Sequence, residues 1–223
     1  IELRGELGQK GYRFKSESDT EVLLAAFEAW GEDCLHKLNG MWALAVWDTQ
    51  EKRVFLSRDR FGKKPLFYAM VGDTLVFASE MKAIFPFLPA VRVAADFPWM
   101  ASHLFNYEAT DKCLIHGIKR FPAGHYGWFK DGGLRLTRYW NTLDHLVEVP
   151  KDYHEQAEAL RELFLDACKL RMRSDVPIGT ALSGGLDSSA AICAMAHLST
   201  AAAETRMARD WQHAFVACFP GTP

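Results

Sequence analysis

Residues 180–189, Thr-Ala-Leu-Ser-Gly-Gly-Leu-Asp-Ser-Ser, combine residue types that can hold a polyanion. Gly184 and Gly185 carry no side chain, so the backbone there can approach a ligand closely. Three serines supply hydroxyl donors: Ser183, Ser188 and Ser189. A β-leaning run precedes the stretch and good helix formers follow it, which predicts strand, tight turn and helix. The unpaired amides at the N-terminus of that helix, together with the positive end of its dipole, favour binding of a phosphate chain.

Asp187 stands where a Walker A loop carries its lysine. An aspartate repels bound phosphates unless a divalent cation lies between them, so Asp187 predicts Mg²⁺ held partly by the phosphates themselves. The alternative is an ordinary strand–helix turn with a glycine cap. Two glycines together with an aspartate and paired serines favour the phosphate site. The sequence Ser-Gly-Gly-Leu-Asp-Ser also resembles the pyrophosphate loop of ATP pyrophosphatases, which grips the β- and γ-phosphates while the α-phosphate is attacked.

Length and composition describe an ordinary globular protein. The 223 residues suffice for one large domain or two small ones, with 49% hydrophobic and 24% charged residues. A net charge of −2 gives no support for nucleic-acid or anionic-membrane partners, and no apolar run reaches membrane-spanning length. The cysteines are odd in number and widely spaced, which favours buried thiols in a reducing, cytoplasmic compartment. They are Cys34, Cys113, Cys168, Cys193 and Cys218.

The first part of the chain predicts helices followed by an antiparallel meander. Ser18 and Glu21 form a predicted capping box, which places Asp19 in the first turn of a helix that ends near Gly31. From this local pattern alone, Asp19 would complement the helix dipole. Short helices are predicted at 32–38 and at 80–85, the second ended by Pro86. Successive strands are predicted at 41–47, 53–58, 66–70 and 74–79, the first of them covered on both faces.

The later part predicts a hairpin, a linker and the start of a second domain. Phe97–Phe105 is a predicted helix, residues 118–129 a turn and a strand, 131–133 a hairpin turn and 134–140 its return strand. The polar linker 141–151 divides the chain into predicted domains 1–150 and 151–223. Tyr153–Met172 is a predicted amphipathic helix and 214–219 a buried strand of a parallel sheet. The predicted buried stripe of that helix is Ala157, Leu160, Phe164, Ala167 and Leu170.

Several stretches of the first domain resemble the glutaminase domain of class II amidotransferases. They are Ser-Glu-Ser-Asp-Thr-Glu-Val, Leu-Asn-Gly-Met-Trp-Ala-Leu-Ala-Val-Trp-Asp, Ser-Arg-Asp-Arg-Phe-Gly-Lys-Lys-Pro-Leu-Phe-Tyr, Phe-Ala-Ser-Glu-Met-Lys-Ala and Phe-Pro-Ala-Gly-His-Tyr. The resemblance implies a partial N-terminal-nucleophile αββα sandwich, followed by the start of a doubly wound parallel-sheet domain. In that family the aspartate matching Asp19 binds the α-amino group of glutamine, which replaces the dipole interpretation. Such a pairing would be charge-assisted.

The two motifs in this order resemble the glutamine-hydrolysing asparagine synthetases. The resemblance implies glutamine hydrolysis, passage of ammonia through an internal tunnel, and formation of β-aspartyl-AMP and pyrophosphate from aspartate and ATP with Mg²⁺. Ammonia then displaces AMP. By the same resemblance, Leu182 would contact adenosine through its backbone, and Ala217, on the second strand, would read the adenine edge. The implied pyrophosphate grip is Ser183, Gly184, Gly185, Asp187 and Ser188, and whether the protein forms a homodimer stays open.

The sequence departs from the family pattern at its start. The family nucleophile is an N-terminal cysteine, whereas this chain begins with Ile1 and none of its cysteines can substitute. No catalytic residue is therefore assigned. We expect the Asn-Gly-Glu segment that holds glutamine just upstream of Ile1, and we expect the chain to be an internal piece, inactive alone. Two alternatives stay open: a β-lactam-synthetase-like relative acting on another acid, and a nucleotide-binding pseudoenzyme without glutaminase chemistry.

Overall fold

The computed structural model describes residues 2–95, 110–174, 176–201 and 210–218. The chain divides into two compact units, Ile1–Leu146 and Val147–Pro223. The helix predicted over Phe97–Phe105 lies outside the described residues. Among the helices described, none combines the length and apolar character needed to cross a membrane.

Helices open the first unit. Helix α1 spans Glu2–Gln9, a segment for which the sequence predicted no element, and α2 spans Asp19–Trp30. A 3₁₀ turn at Gly31–Asp33 leads into α3, Cys34–Lys37. Gly31 ends α2 with φ of 56°, a left-handed conformation that glycine adopts without steric cost, so the predicted C-cap is confirmed.

The strands of the first unit form two antiparallel sheets. The first has the order β1-β2-β6-β7 and the second the order β4-β3-β5. The predicted single meander is therefore wrong, because the hairpins β1–β2 and β3–β4 belong to different sheets. The strands are β1 Ala43–Asp48, β2 Arg53–Arg58, β3 Phe67–Val71, β4 Thr74–Ala78, β5 Lys119–Arg120, β6 His125–Lys130 and β7 Gly133–Arg138.

Alternation along β2 places the first sheet between two apolar layers, since successive side chains of a strand point to opposite faces. Phe55 is fully buried and packs with Leu7 of α1 and Leu35 of α3. The neighbouring Leu56, also fully buried, packs with Tyr68 of the second sheet. Burial of each such side chain contributes roughly 1.5–3 kcal/mol.

The outer face of the second sheet is covered by a segment of 3₁₀ turns. Phe67 and Ala69 of β3 pack there against the fully buried Ile84. The described layers of this unit are thus helices, sheet, sheet and this segment, which confirms the predicted partial αββα sandwich. The turns are Met81–Ala83 and Phe85–Phe87, with Pro86 inside the second, so the short helix predicted to end at Pro86 is wrong. Proline is tolerated there because the first amides of a helical turn need no acceptor within it.

Strand β1 was predicted to be covered on both faces, and this is wrong. Leu44 and Val46 pack against the helical layer, whereas Trp47 is 56% exposed. β1 lies at the edge of its sheet, so its other face has fewer neighbours. The hairpin prediction at 131–133 is confirmed: Asp131 and Gly132 have φ of 50° and 75°, and two positive values suit the twist of paired antiparallel strands.

The second unit contains helix α4, Tyr153–Arg171, strand β8, Ile178–Ala181, helix α5, Leu186–Ala201, and strand β9, Gln212–Phe215. The parallel pairing of β8 with β9, in register from Ile178↔Gln212 to Ala181↔Phe215, confirms the predicted parallel sheet. The last strand is not buried as predicted, because Phe215 is 66% exposed.

The predicted buried stripe of α4 is wrong in its first half. Ala157 is exposed, Leu160 is 68% exposed and Phe164 is 39% exposed. The buried positions lie near the C-terminal end of the helix instead, where Cys168 and Met172 pack with residues of α5. Helical spacing thus marked an apolar face correctly, but among the described residues of this unit only the C-terminal end of that face is packed against another helix.

Candidate functional site

The turn between β8 and α5 holds most of the predicted phosphate-site residues. Strand β8 ends at Ala181, and the amide of Leu182 donates to the carbonyl of Phe215 at 2.9 Å. Gly184 has φ of 80°, and a Cβ added there would meet no atom within 4 Å. Glycine is therefore favoured at this position by its positive φ and not by lack of space, because the space beside it is open.

Hydrogen bonds of Ser183 and Ser188 join the turn to the start of α5. The hydroxyl oxygens of Ser183 and Ser188 lie 3.1 Å apart, and the Ser188 hydroxyl lies 3.2 Å from the carbonyl oxygen of Gly185. The amide of Ser183 donates to Ser188 Oγ at 3.3 Å, and that of Gly185 to Ser183 Oγ at 3.4 Å. A bound phosphate would therefore exchange some of these internal bonds for its own, since each hydroxyl has a single proton to donate.

Asp187 lies in the first turn of α5 with an exposed side chain. In the described part of the chain, no three His, Cys, Asp or Glu side chains are grouped as a metal site would require. A single carboxylate fits a Mg²⁺ ion whose other ligands are phosphate oxygens and water, which is how Mg²⁺ is usually held with nucleotides.

Ala217 does not lie on the second strand as the sequence predicted. β9 ends at Phe215, and Ala217 follows two residues later with an exposed side chain. Because β8 and β9 run parallel, Leu182 and the chain after Phe215 leave the sheet at the same edge. That edge also carries the turn from Ser183 to Ser188, so the structure brings the predicted nucleotide residues together at one end of the small sheet.

Asp19 lies in the other unit, as the first residue of α2. Its side chain is exposed. The preceding residue, Ser18, is the N-cap, and its hydroxyl accepts a hydrogen bond from the amide of Thr20 at 3.2 Å. The other half of the predicted capping box is wrong, because the Glu21 carboxylate bonds to the segment before Ser18 instead of to the Ser18 amide.

Two buried charged residues lie at the end of β2, and sequence reasoning gave them no role: Arg58 is the last residue of the strand, and Asp59 follows it. Arg58 and Asp59 are 5% and 1% exposed. The Asp59 carboxylate accepts hydrogen bonds from four backbone amides, at 2.9 Å from Lys63 and Lys64, 3.2 Å from Phe61 and 3.3 Å from Trp42. Adjacent charged residues at the end of an apolar strand, shortly before Gly-Lys-Lys-Pro, were the available signal, since such charges are buried only when paired or hydrogen-bonded.

Arg58 completes this cluster through backbone carbonyls. Its guanidinium donates to Gly62 O at 2.6 Å, Lys64 O at 2.7 Å and Phe121 O at 2.8 Å. The Tyr139 hydroxyl donates to the carbonyl of Arg58 at 3.0 Å, and burial, together with the nearby Asp59 charge, raises the pKa of Tyr139. The cluster therefore fixes the connection that carries the chain from the first sheet to the second.

Two protein families match this chain in succession. The glutamine amidotransferase domain matches residues 1–140, and asparagine synthase matches residues 159–223. The chain is 40% identical to asparagine synthetase (glutamine-hydrolyzing) 3 of Bacillus subtilis (strain 168), over 85% of this chain and 31% of that protein. It is 33% identical to asparagine synthetase B (glutamine-hydrolyzing) of Escherichia coli (strain K12), over 99% of this chain and 35% of that protein.

The chain spans about a third of the length of these relatives. Among solved structures, it is similar to the glutamine phosphoribosylpyrophosphate (PRPP) amidotransferase from B. subtilis complexed with ADP and GMP. That similarity has a TM-score of 0.45 and 17% identity, and covers 88% of this chain and 41% of the other.

Proposed function

The chain belongs to the glutamine amidotransferase domain family, and on that premise we propose that it is part of a glutamine-hydrolysing asparagine synthetase. The observation that carries the proposal is the order of two matched regions on one chain, an amidotransferase domain followed by an asparagine synthase region that contains the Ser183–Ser188 turn. In the proposed reaction, glutamine supplies ammonia, and ATP activates the β-carboxyl group of aspartate as an adenylate. Ammonia then displaces AMP and yields asparagine.

Asp19 is the proposed residue for binding glutamine. Its carboxylate is exposed at the start of α2, where it can meet the α-ammonium group of an amino acid. An ion pair of this kind is charge-assisted and selects an amino acid over a simple amide. Hydrolysis itself requires a nucleophile, and no residue of this chain is proposed for that step.

The turn between β8 and α5 is the proposed ATP site. The amides of the first turn of α5 point out of the helix, and its dipole places partial positive charge there. Ser183, Gly184, Gly185 and Ser188 would hold the leaving pyrophosphate, while Leu182 and Ala217 would contact the adenosine through their backbones. Asp187 would hold Mg²⁺, which would neutralise charge on the phosphates.

The test is an assay of the complete protein encoded by the gene. With glutamine, aspartate and ATP-Mg, we expect asparagine, glutamate, AMP and pyrophosphate in equal amounts. Glutamate formation without AMP in the presence of aspartate would contradict aspartate as the acid that ATP activates, and a panel of other carboxylic acids would then identify the acid. Nucleotide binding without glutamate formation would show a pseudoenzyme instead. A homodimer and a cytoplasmic location stay predictions.

A further inference from the structure

The segment before Asp19 is held by two side chains of opposite charge. Glu21, in the first turn of α2, folds back over residues 15 and 16. Its carboxylate accepts hydrogen bonds from the amides of Lys15 and Ser16, both at 2.8 Å, and from the Ser16 hydroxyl at 2.7 Å. These bonds, that of the Lys15 amide first, lower the pKa of Glu21, because accepted hydrogen bonds favour the carboxylate.

Arg4 holds the same segment from α1. Its guanidinium donates to the carbonyl oxygens of Ser16 at 2.8 Å and Ser18 at 3.1 Å. The guanidinium also lies over the ring of Phe14, with its central carbon 4.6 Å from the ring centroid. The planar fork of arginine can reach two carbonyls at once, which the single ammonium of lysine cannot do with the same geometry.

A chain of hydrogen bonds joins Glu21 to the N-cap of the helix. The Ser16 hydroxyl donates to Glu21, and its oxygen accepts from the amide of Ser18 at 3.2 Å. Ser18 in turn caps Thr20. Asp19 lies between these two bonded residues, so its backbone is fixed on both sides while its side chain is left exposed.

We propose that Glu21 and Arg4 are positioning residues for glutamine, which hold residues 16–18 so that the Asp19 carboxylate is presented in one orientation to the α-ammonium group of the substrate. This inference rests on the proposed function of Asp19. Binding constellations need to be held to within about 0.5 Å, and an exposed side chain at a helix start reaches that precision only through its backbone. Neither residue is required to touch the substrate.

The test uses Glu21→Gln in the complete protein, with glutaminase kinetics measured in the absence of ATP. The side chain introduced by this substitution keeps one acceptor oxygen. Its amide group, however, is a donor directed toward Ser16, which itself donates from its backbone amide and its hydroxyl group. We expect KM for glutamine to rise roughly ten-fold while kcat changes less than about two-fold, because ground-state binding is lost and the chemistry is not. Arg4→Lys, which keeps the charge but not the two-carbonyl fork, should give a smaller rise in the same direction.

The matched control is Glu28→Gln, the same chemical change on the same helix. Among the described residues, Glu28 has no hydrogen-bond or ion-pair partner. The KM of the Glu28→Gln variant for glutamine should therefore equal that of the unaltered protein. If Glu21→Gln does not fold, Ser16→Ala removes the hydroxyl shared by Glu21 and Ser18, and we expect a rise of about three-fold from it.

The outcomes separate the two proposals. A lowered melting temperature with unchanged KM in these variants would show a merely structural role and overturn the positioning inference alone. An unaltered protein without glutaminase activity would contradict the proposed function, and the inference with it. A raised KM in Glu21→Gln with an unchanged KM in Glu28→Gln would support the inference and the glutamine-hydrolysing half of the proposed function.

Discussion

Trp42 and Asp59 exchange two hydrogen bonds. The amide of Asp59 donates to the carbonyl of Trp42 at 3.0 Å, and the amide of Trp42 donates to the Asp59 carboxylate at 3.3 Å. The same carboxylate gathers the amides of the turn that follows it, so one buried charge connects the start of β1 with the crossing to the second sheet. The turn depends on this carboxylate for most of its satisfied amides.

Asp59→Asn should therefore destabilise the first unit. The asparagine keeps one acceptor oxygen, but its amino group would face backbone amides that are themselves donors. Buried donors left without acceptors cost about 1–3 kcal/mol each, so we expect a loss of roughly 2–4 kcal/mol. Urea denaturation followed by tryptophan fluorescence measures it, with Asp33→Asn as control because Asp33 is exposed and makes no side-chain cap bond. Equal midpoints for the two variants would contradict the role of Asp59.

Asp187→Ala should separate the two half-reactions of the complete protein. Loss of the carboxylate removes the proposed Mg²⁺ ligand, so we expect the rate of aspartate-dependent AMP formation to fall by at least about 100-fold. Glutamine hydrolysis should stay within about two-fold, because Asp19 and Asp187 lie in different units. Pyrophosphate release and glutamate formation measure the two steps independently. Equal loss of both activities would show that the assignment of Asp187 is wrong.

The cysteines should differ in reactivity. Cys34 and Cys113 are buried, and burial raises the pKa of each thiol from 9.0 to about 11. Because the thiolate is the reactive form, neither should react with iodoacetamide at pH 8 in the folded protein. Cys193 and Cys218 are exposed and should be labelled first. Mass spectrometry of the labelled peptides measures the order, and early labelling of Cys34 would contradict the packing around it.

The same thiols give a dependence of stability on pH. The pKa values of both thiols are raised in the folded state. Their contribution to the free energy of unfolding is therefore complete below pH 9.0 and is lost as the pH rises through about 11. We expect the denaturation midpoint to fall over that window. The fall should be smaller in Cys34→Ser than in the original protein when each is compared with its own value at pH 8.

Substitution of two glycines with positive φ by alanine should separate the stability lost to steric crowding from the stability lost to an unfavourable backbone conformation. Gly124 has φ of 65°, and a Cβ there would lie 2.9 Å from the carbonyl oxygen of Trp140. Gly117 has φ of 84°, and its Cβ would meet nothing within 4 Å. Gly117→Ala should cost about 1–2 kcal/mol from the left-handed conformation alone, and Gly124→Ala about 2–5 kcal/mol with crowding added. Denaturation midpoints of the pair measure the difference, and equal losses would contradict the close approach at Gly124.

What the sequence could predict was local. The positive φ of Gly184, the start of α2 at Asp19 and the cap at Gly31 all follow from residue types within a few positions. The bonds of Glu21 were mispredicted because a capping-box pattern and a bond to earlier amides use the same residue, and only the path of residues 15 and 16 decides between them.

What the sequence could not predict was long-range. Hydrophobic alternation placed Phe55 and Leu56 on opposite faces of β2, but no local pattern shows that β2 pairs with β6. The burial of the first half of α4 was mispredicted for the same reason. Helical spacing identified an apolar face at Leu160 and Phe164, but it did not show whether another element covers that face. The position of Asp59 after an apolar strand signals burial, but the groups that bind its carboxylate could not be predicted, because they come from Trp42 and from the turn itself.

The pairing of β2 with β6 has a consequence for synthesis on the ribosome. The Ser57 hydroxyl meets the carbonyl of His125, 68 positions later in the chain. At roughly 5–20 residues per second, the second strand emerges about 3–14 seconds after the first. During that interval the nascent hairpin β1–β2 has an unpaired edge and bare apolar faces, so a chaperone that shields emerging chains would have its greatest effect before residue 125 leaves the exit tunnel.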